Sequence, residues 1–351
     1  MTVASVIVLV LSVTLVSYTL LSAVRTVILP RGETTLLGLA LFRPLLAMFR
    51  GAARRCREFT CKDRVMALYA PIALVLLPGL WVTLILIGFM GVFWAVGGHK
   101  WDEAFLISGS SLLTLGFAEV DTVPQLLLVF LEATLGLGIV ALLITFLPSM
   151  YQAFSRREAL VGLLEVRAGS PPSAEEYILR AHRIAGLQQL NVTWTEWERW
   201  FVEIEESHIS YPALVFFRSP RPDQSWITAT GTVLDAASLT LAAVDIPWEP
   251  SAPLCIRAGY IALRQIGGFF GVPFDPDPAP DDPIAISRRE FEAAVDRLEA
   301  DGVPVKADRE QAWRDFAGWR VNYDASLLGL AQLLIAPEAT WSADRAPVGG
   351  S

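Results

Sequence analysis

The sequence predicts an all-α membrane protein carrying a mostly helical soluble half, and three observations lead there. Three long apolar runs fall within the first 154 of 351 residues, basic residues gather on alternate sides of those runs, and the charge that makes the net −8 lies mainly after them. With 53% hydrophobic residues and a mean hydropathy of +0.46, the chain is more apolar than an ordinary soluble domain.

A helix needs about 20 apolar residues to cross a ~30 Å hydrocarbon layer. Thr2 to Val24 is free of charge and ends at Arg25. It lacks the basic leader and small-residue cleavage site of a signal peptide, so it reads as a retained first span. Val65 to Gly98 is also uncharged and longer than one span. Pro71 and Pro78 are expected to mark an entry at the interface, with the span proper over 74–96. Pro124 to Phe154 holds one charge, Glu132. Between the first two spans, Thr34 to Phe49 is apolar but interrupted by Arg43 and Pro44. It reads as too short to cross and as an interfacial helix.

Arg43, Arg50, Arg54, Arg55, Arg57, Lys62 and Arg64 follow the first span, and Arg156 and Arg157 follow the third. Basic loops face the cytoplasm. The N-terminus and the segment 97–124 are then outside and the C-terminal half is cytoplasmic. Cys56 and Cys61 fall in the basic segment, and with Cys255 they are expected to be reduced, unpaired thiols. The expected domains are 1–30, an N-terminal span; 31–64, a basic interfacial segment; 65–155, two spans and what lies between them; and 156–351, a helical domain with a disordered C-terminal tail.

The connection His99–Asp121 is too apolar for an outside loop, since Ala104 to Phe117 carries no charge. Backbone of this kind at membrane depth must be buried in protein or line a watery path. Leu113-Thr114-Leu115-Gly116-Phe117-Ala118-Glu119, after a helix-like run opened by Asp102 or Glu103, resembles the filter of the potassium-channel superfamily. The resemblance covers roughly 74–154 and implies an outer helix, pore helix, filter and inner helix. It implies that Thr114, Leu115, Gly116 and Phe117 bind the ion, chiefly through carbonyls, and that Glu119 and Asp121 form an acidic outer mouth. Leu113 stands where the family has Thr, Leu115 where it has Val, and Ala118 where it has Gly. The last substitution makes the outermost carbonyl ring costly to form, because Gly adopts the needed angles cheaply.

Glu132, a carboxylate within a span, is expected either to support the filter from behind, through a serine of the pore helix, or to line the cavity. Gly136 and Gly138 sit where the family places a gating hinge; close helix packing is the other reading. Thr145 and Pro148 fall near the expected inner constriction.

After Glu158, helices are expected over 158–167, 173–190, 194–208, 225–244, 252–268, 287–301 and 307–335, with Thr193 capping the third and Trp194, Trp197 and Phe201 on one buried face. Pro273 to Pro283 reads as an exposed loop. No persuasive strand and no dinucleotide-binding Gly-x-Gly-x-x-Gly is found. The three histidines, His99, His182 and His208, lack metal-ligand spacing. Glu205, Glu206, His208, Tyr211 and Pro212 cluster at a helix end, as a sensor or, with greater weight, a satisfied terminus. No catalytic constellation appears, so the chain is not expected to be an enzyme.

Without internal repeats, one chain supplies one filter strand, and a closed pore needs several copies, most simply a homotetramer. The expectation is a cation channel in a bacterial inner membrane, permeant to K+, with Na+ as the alternative, and without other cofactors. Its partners would be its own copies and the bilayer, with room for an unidentified ligand on the cytoplasmic domain. Nucleic acid is excluded by the acidic soluble half. The competing expectation is a non-conducting scaffold or sensor with a degenerate pore loop.

Overall fold

The structure, a computed structural model, describes residues 2–27 and 35–347. The expected boundary between residues 30 and 31, and residues 348–351 of the tail, lie outside them. Among the described residues the regular secondary structure is all helical, apart from one isolated bridge, Val244 to Val305. Four helices among the described residues are long and apolar enough, by length and composition, to cross a membrane.

The chain divides into two compact units, 1–51 with 68–151, and 52–67 with 152–351. The first contains α1 (Val3–Val27), most of α2 (Leu36–Arg54), α4 (Tyr69–Gly97), α5 (Trp101–Leu112) and the first part of α6 (Val123–Ala168). α1 packs along α4. Its buried stripe is Ser12, Val16, Thr19, Ser22 and Ala23. Opposite lie Gly88 and Gly91, where a Cβ would stand 2.5 Å from Val16 Cγ2 and 2.1 Å from Ser12 Oγ. Small residues let two apolar helices approach closely where hydrophobicity alone gives no preference.

Two expectations for this unit change. α2 runs on to Arg54, and its 19 residues reach the length of a span. Pro71 and Pro78 do not divide the second run, for α4 is one helix of 29 residues with Pro78 inside it. Its first turn has no intrahelical acceptor for Pro71 to disrupt, and Pro78 removes a single bond that the flanking turns outweigh.

The second unit comprises α3 (Phe59–Ala67), the end of α6, α7 (Ala174–Ile184), α8 (Leu190–Ser210), α9 (Trp226–Ala243), α10 (Ser251–Phe269), α11 (Arg288–Ala300), α12 (Arg309–Arg320) and α13 (Asp324–Leu334). α9 is its axis, buried on all sides and packed by α7, α10, α12 and α13. It carries buried polar side chains as well, among them Asp235, which pairs with Arg320. Trp194, Trp197, Trp200 and Phe201 of α8 lie in the core.

Thr193 is not a cap. A 3-10 turn, Leu187–Gln189, leads straight into α8, and the Thr193 hydroxyl donates to Leu190 O at 2.8 Å. The run 307–335 is two helices broken at Val321–Tyr323, where Arg320 and Tyr323 turn into the core. The segment after α13, expected as a disordered tail, packs down as far as it is described. Trp341 and Ser342 are buried, and Arg345 pairs with Glu290 at 2.9 Å. An aromatic anchor and a backbone acceptor for Arg320 fix it.

Cys56 and Cys61 are also corrected: they form a disulfide, S–S 1.98 Å. The turn between α2 and α3 brings their Cα atoms to 5.7 Å, within bonding reach. Cys255 is free and buried.

Candidate functional site

The segment expected as a filter follows directly on α5. Glu103 opens that helix by accepting the Lys100 N–H at 3.2 Å, so the first-turn acids sit at its positive end. Trp101 stacks on Trp94 with centroids 5.0 Å apart, and His99 bonds Gln125 at 2.9 Å. Ala104, Ile107 and Leu112 then bury the inner face of α5 against Ile85, Phe89 and Phe93 of α4 and Ile139 of α6. The helix stops at Leu113.

Beyond it the backbone folds around one serine. The N–H of Leu115 donates to Ser110 O at 2.8 Å, and the N–H groups of Phe117 and Ala118 donate to Ser110 Oγ at 3.0 and 3.1 Å. Thr114 N–H reaches Ser111 O at 3.0 Å. Thr114 and Gly116 have φ of 54° and 71°, with Leu115 between them outside that region. The N–H groups of residues 114–118 are thereby turned toward Ser110 and Ser111. Among the described residues, no donor reaches the carbonyls of residues 113–117.

Gly116 is the residue type this geometry requires, with open space around its Cα. Thr114 holds a conformation that is an outlier for a β-branched side chain. Ala118, the position expected to be costly, avoids the left-handed region altogether. Leu113, Leu115 and Phe117 are exposed in the single chain, as are Glu119 and Asp121.

Glu132 is fully buried behind this segment. Its two oxygens accept from Ser108 Oγ, at 2.5 Å, and from Ser111 Oγ. Ser108 Oγ also lies 3.1 Å from Leu86 O, so one serine meets α4 and α6 together. Of the two roles expected for Glu132, the geometry is that of support. Gly136 lies one turn further along α6, against Leu112 O, where a Cβ would stand 2.2 Å from that oxygen. This is the close-packing requirement of the two readings. Gly138 has nothing within 4 Å of its Cβ position. Pro148 lies within α6 without ending it, and Thr145 donates to Leu142 O at 2.9 Å.

Sequence reasoning missed the part played by Ser110. Its signal was present as two adjacent serines before a glycine-bearing turn, but their directions depend on helix phase. Among the described residues, no group of three or more His, Cys, Asp or Glu side chains is placed to hold a metal ion.

The polar cluster at the end of α8 resolves as a satisfied terminus. His208 is buried, with Nδ1–H donating to Ile204 O at 2.8 Å and Nε2 accepting from Arg157 at 3.1 Å. Arg157 donates further to Leu214 O and Phe217 O, each at 2.8 Å, and pairs with Glu158. Burial first, and then the Arg157 cation, hold His208 well below its ordinary pKa. The unfolded imidazole takes a proton below about pH 6.5, whereas the folded one does not. Folding stability of this unit is therefore expected to fall as pH drops through that value, by up to about 1.4 kcal/mol per pH unit. Melting curves at about pH 7.5 and 5.5 check this; the same pH slope in His208→Gln as in wild type would show that His208 is not its source.

No protein-family model, curated protein or solved structure matches the chain.

Proposed function

We propose that the chain is one subunit of a tetrameric cation channel in a bacterial inner membrane, with its N-terminus outside, α2 lying along the cytoplasmic face rather than crossing, and its C-terminal domain inside. The channel passes K+, or selects weakly among monovalent cations, and the helical domain regulates it. α4, α5 and α6 act as outer, pore and inner helices, and Thr114–Phe117 as the filter. The observation that carries this reading is the backbone after α5, which spends its N–H groups on Ser110 and Ser111 and leaves the carbonyls of residues 113–117 free. Free carbonyls are what replace the water of a dehydrated cation. The C-terminal end of α5 adds a partial negative charge at the inner side of the segment, and Glu119 and Asp121 add charge at its outer end.

Potassium flux into liposomes, with wild type and Gly116→Val compared, tests the proposal. A β-branched residue at φ of 71° costs about 1–2 kcal/mol, and a tetramer meets that cost four times around one axis. Flux is expected in wild type and none in the variant. Equal flux in the two would defeat the filter assignment, and particles without four-fold symmetry would defeat the assembly. Leu113, in place of a hydroxyl residue, favours the second reading, a non-conducting scaffold. Intact tetramers that pass no cation would establish it.

A further inference from the structure

Cys56 and Cys61 stand in an unusual place for a bond that merely staples a fold. They are five residues apart, and closing so short a loop removes little chain entropy from the unfolded state. Arg54, Arg55, Arg57, Lys62 and Arg64 surround them within eleven residues, against Glu58 and Asp63, and Asp63 is engaged by Arg218 at 3.5 Å. Cationic neighbours favour the thiolate, the form that attacks and leaves in thiol–disulfide exchange. Cys61 is exposed and Cys56 half-buried, so an incoming thiolate has access to one sulfur in particular. The same basic residues place the segment on the cytoplasmic side, where disulfides are uncommon and those that occur are mostly transient, redox-sensing or catalytic.

We propose that Cys56 and Cys61 are a reversible redox-modification site, opened and closed by exchange with a cytosolic dithiol protein or with the glutathione couple. The proposal rests on the topology given under the proposed function. In opening, a reductant thiolate attacks Cys61 Sγ, the bond between the two sulfurs breaks, and Cys56 leaves as a thiolate that takes up a proton. A second reductant thiol then attacks the mixed disulfide, Cys61 leaves and is protonated in turn, and the reductant departs as its own disulfide. Two electrons and two protons pass to the pair. Closing is the reverse, with oxidised glutathione as the acceptor.

The bond joins the turn after α2 to the first turn of α3. α3 is held in the second unit by buried Met66 and by the Asp63–Arg218 pair, and Arg218 also donates to Leu334 O and Ile335 O at the end of α13. The state of the bond therefore governs the freedom of a turn whose far side is fixed.

The test uses the full-length protein in membrane vesicles equilibrated with reduced and oxidised glutathione at graded ratios. Free thiols are then trapped with a maleimide and located by peptide mass spectrometry. Cys56 and Cys61 are expected to be both labelled in reduced buffer and both protected in oxidised buffer, returning on a second cycle. Cys61→Ser should leave Cys56 without the protected state. Labelling of the pair that does not change with the ratio, in either direction, overturns the proposal. After reduction, a membrane-impermeant maleimide should reach the pair in inside-out vesicles and not in right-side-out ones. The opposite result overturns the topology and the cytosolic exchange with it. Correct sidedness without exchange overturns this proposal alone and leaves the topology standing.

Discussion

Glu132→Ala is expected to abolish cation flux and to loosen the packing of α5 on α6, while Glu132→Gln keeps most of both. The carboxylate is fully buried within a single chain and joined to two serines, and assembly can only bury it further. On the proposed channel reading, a group so placed is expected to act by position rather than by meeting ions. Each serine keeps a fallback acceptor on the backbone, Leu86 O at 3.1 Å for Ser108 and Ile107 O at 3.0 Å for Ser111. The alanine variant therefore strands few polar atoms. It loses a hydrogen-bonded connection between helices and leaves a cavity, together about 2–4 kcal/mol. That loss falls one helical turn from the contact of Gly136 with Leu112 O, and so on the turn that launches residues 113–117. Glutamine preserves the volume and can exchange hydrogen bonds with both hydroxyls. If Glu132 instead attracted ions in the cavity, alanine and glutamine would reduce flux alike. Equal flux in Glu132→Ala and wild type, measured in the same liposomes, would sink the supporting role.

Arg320→Met is expected to give the largest loss of stability in the second unit. Arg320 is wholly buried at the end of α12. It reaches Asp235 of α9 at 2.5 Å, Asp324 of α13 at 2.7 Å and Trp341 O at 2.7 Å. Tyr323 adds a hydrogen bond to Asp235 at 2.9 Å. Burial alone would lower the pKa of this guanidinium, but Asp235 and Asp324 outweigh it and hold the group charged. Removing the cation leaves two buried carboxylates without a counter-charge, at a cost of about 3–5 kcal/mol. For a unit of this size that corresponds to a melting temperature lower by roughly 6–20 °C. Adding Asp235→Asn to Arg320→Met should recover part of the loss, because one stranded charge is then gone. A variant melting within about 2 °C of wild type would show that the network does not hold the three helices together.

Much of the local structure was legible because it depends on short-range pattern. The expected runs 225–244, 252–268 and 287–301 match α9, α10 and α11 within two residues, since caps such as Ser225 and Ser287 and the loop prolines mark their ends. The apolar runs that became α1, α4 and α6 were as plain. Errors arose where a distant contact overruled a local signal. Thr193 looked like a cap and became interior once the turn before it continued the helix. The tail looked disordered and is anchored by Trp341. The cysteines looked free because their pairing depends on the path between α2 and α3.

For the segment after α5 the sequence by itself determined the residue types: a glycine that tolerates positive φ, serines one turn before it, acids beyond it and a carboxylate in the following helix. These follow from identity and spacing, which local sterics and hydrophobicity translate directly into structure. Only the tertiary structure decided what each does. Ser110 gathers the backbone N–H groups, Glu132 is buried against Ser108 and Ser111, Gly136 packs against a carbonyl, and Ala118 escapes the conformation expected to be costly. Those outcomes depend on which faces of α4, α5 and α6 meet, and one turn of helix phase is enough to exchange a buried brace for an exposed charge.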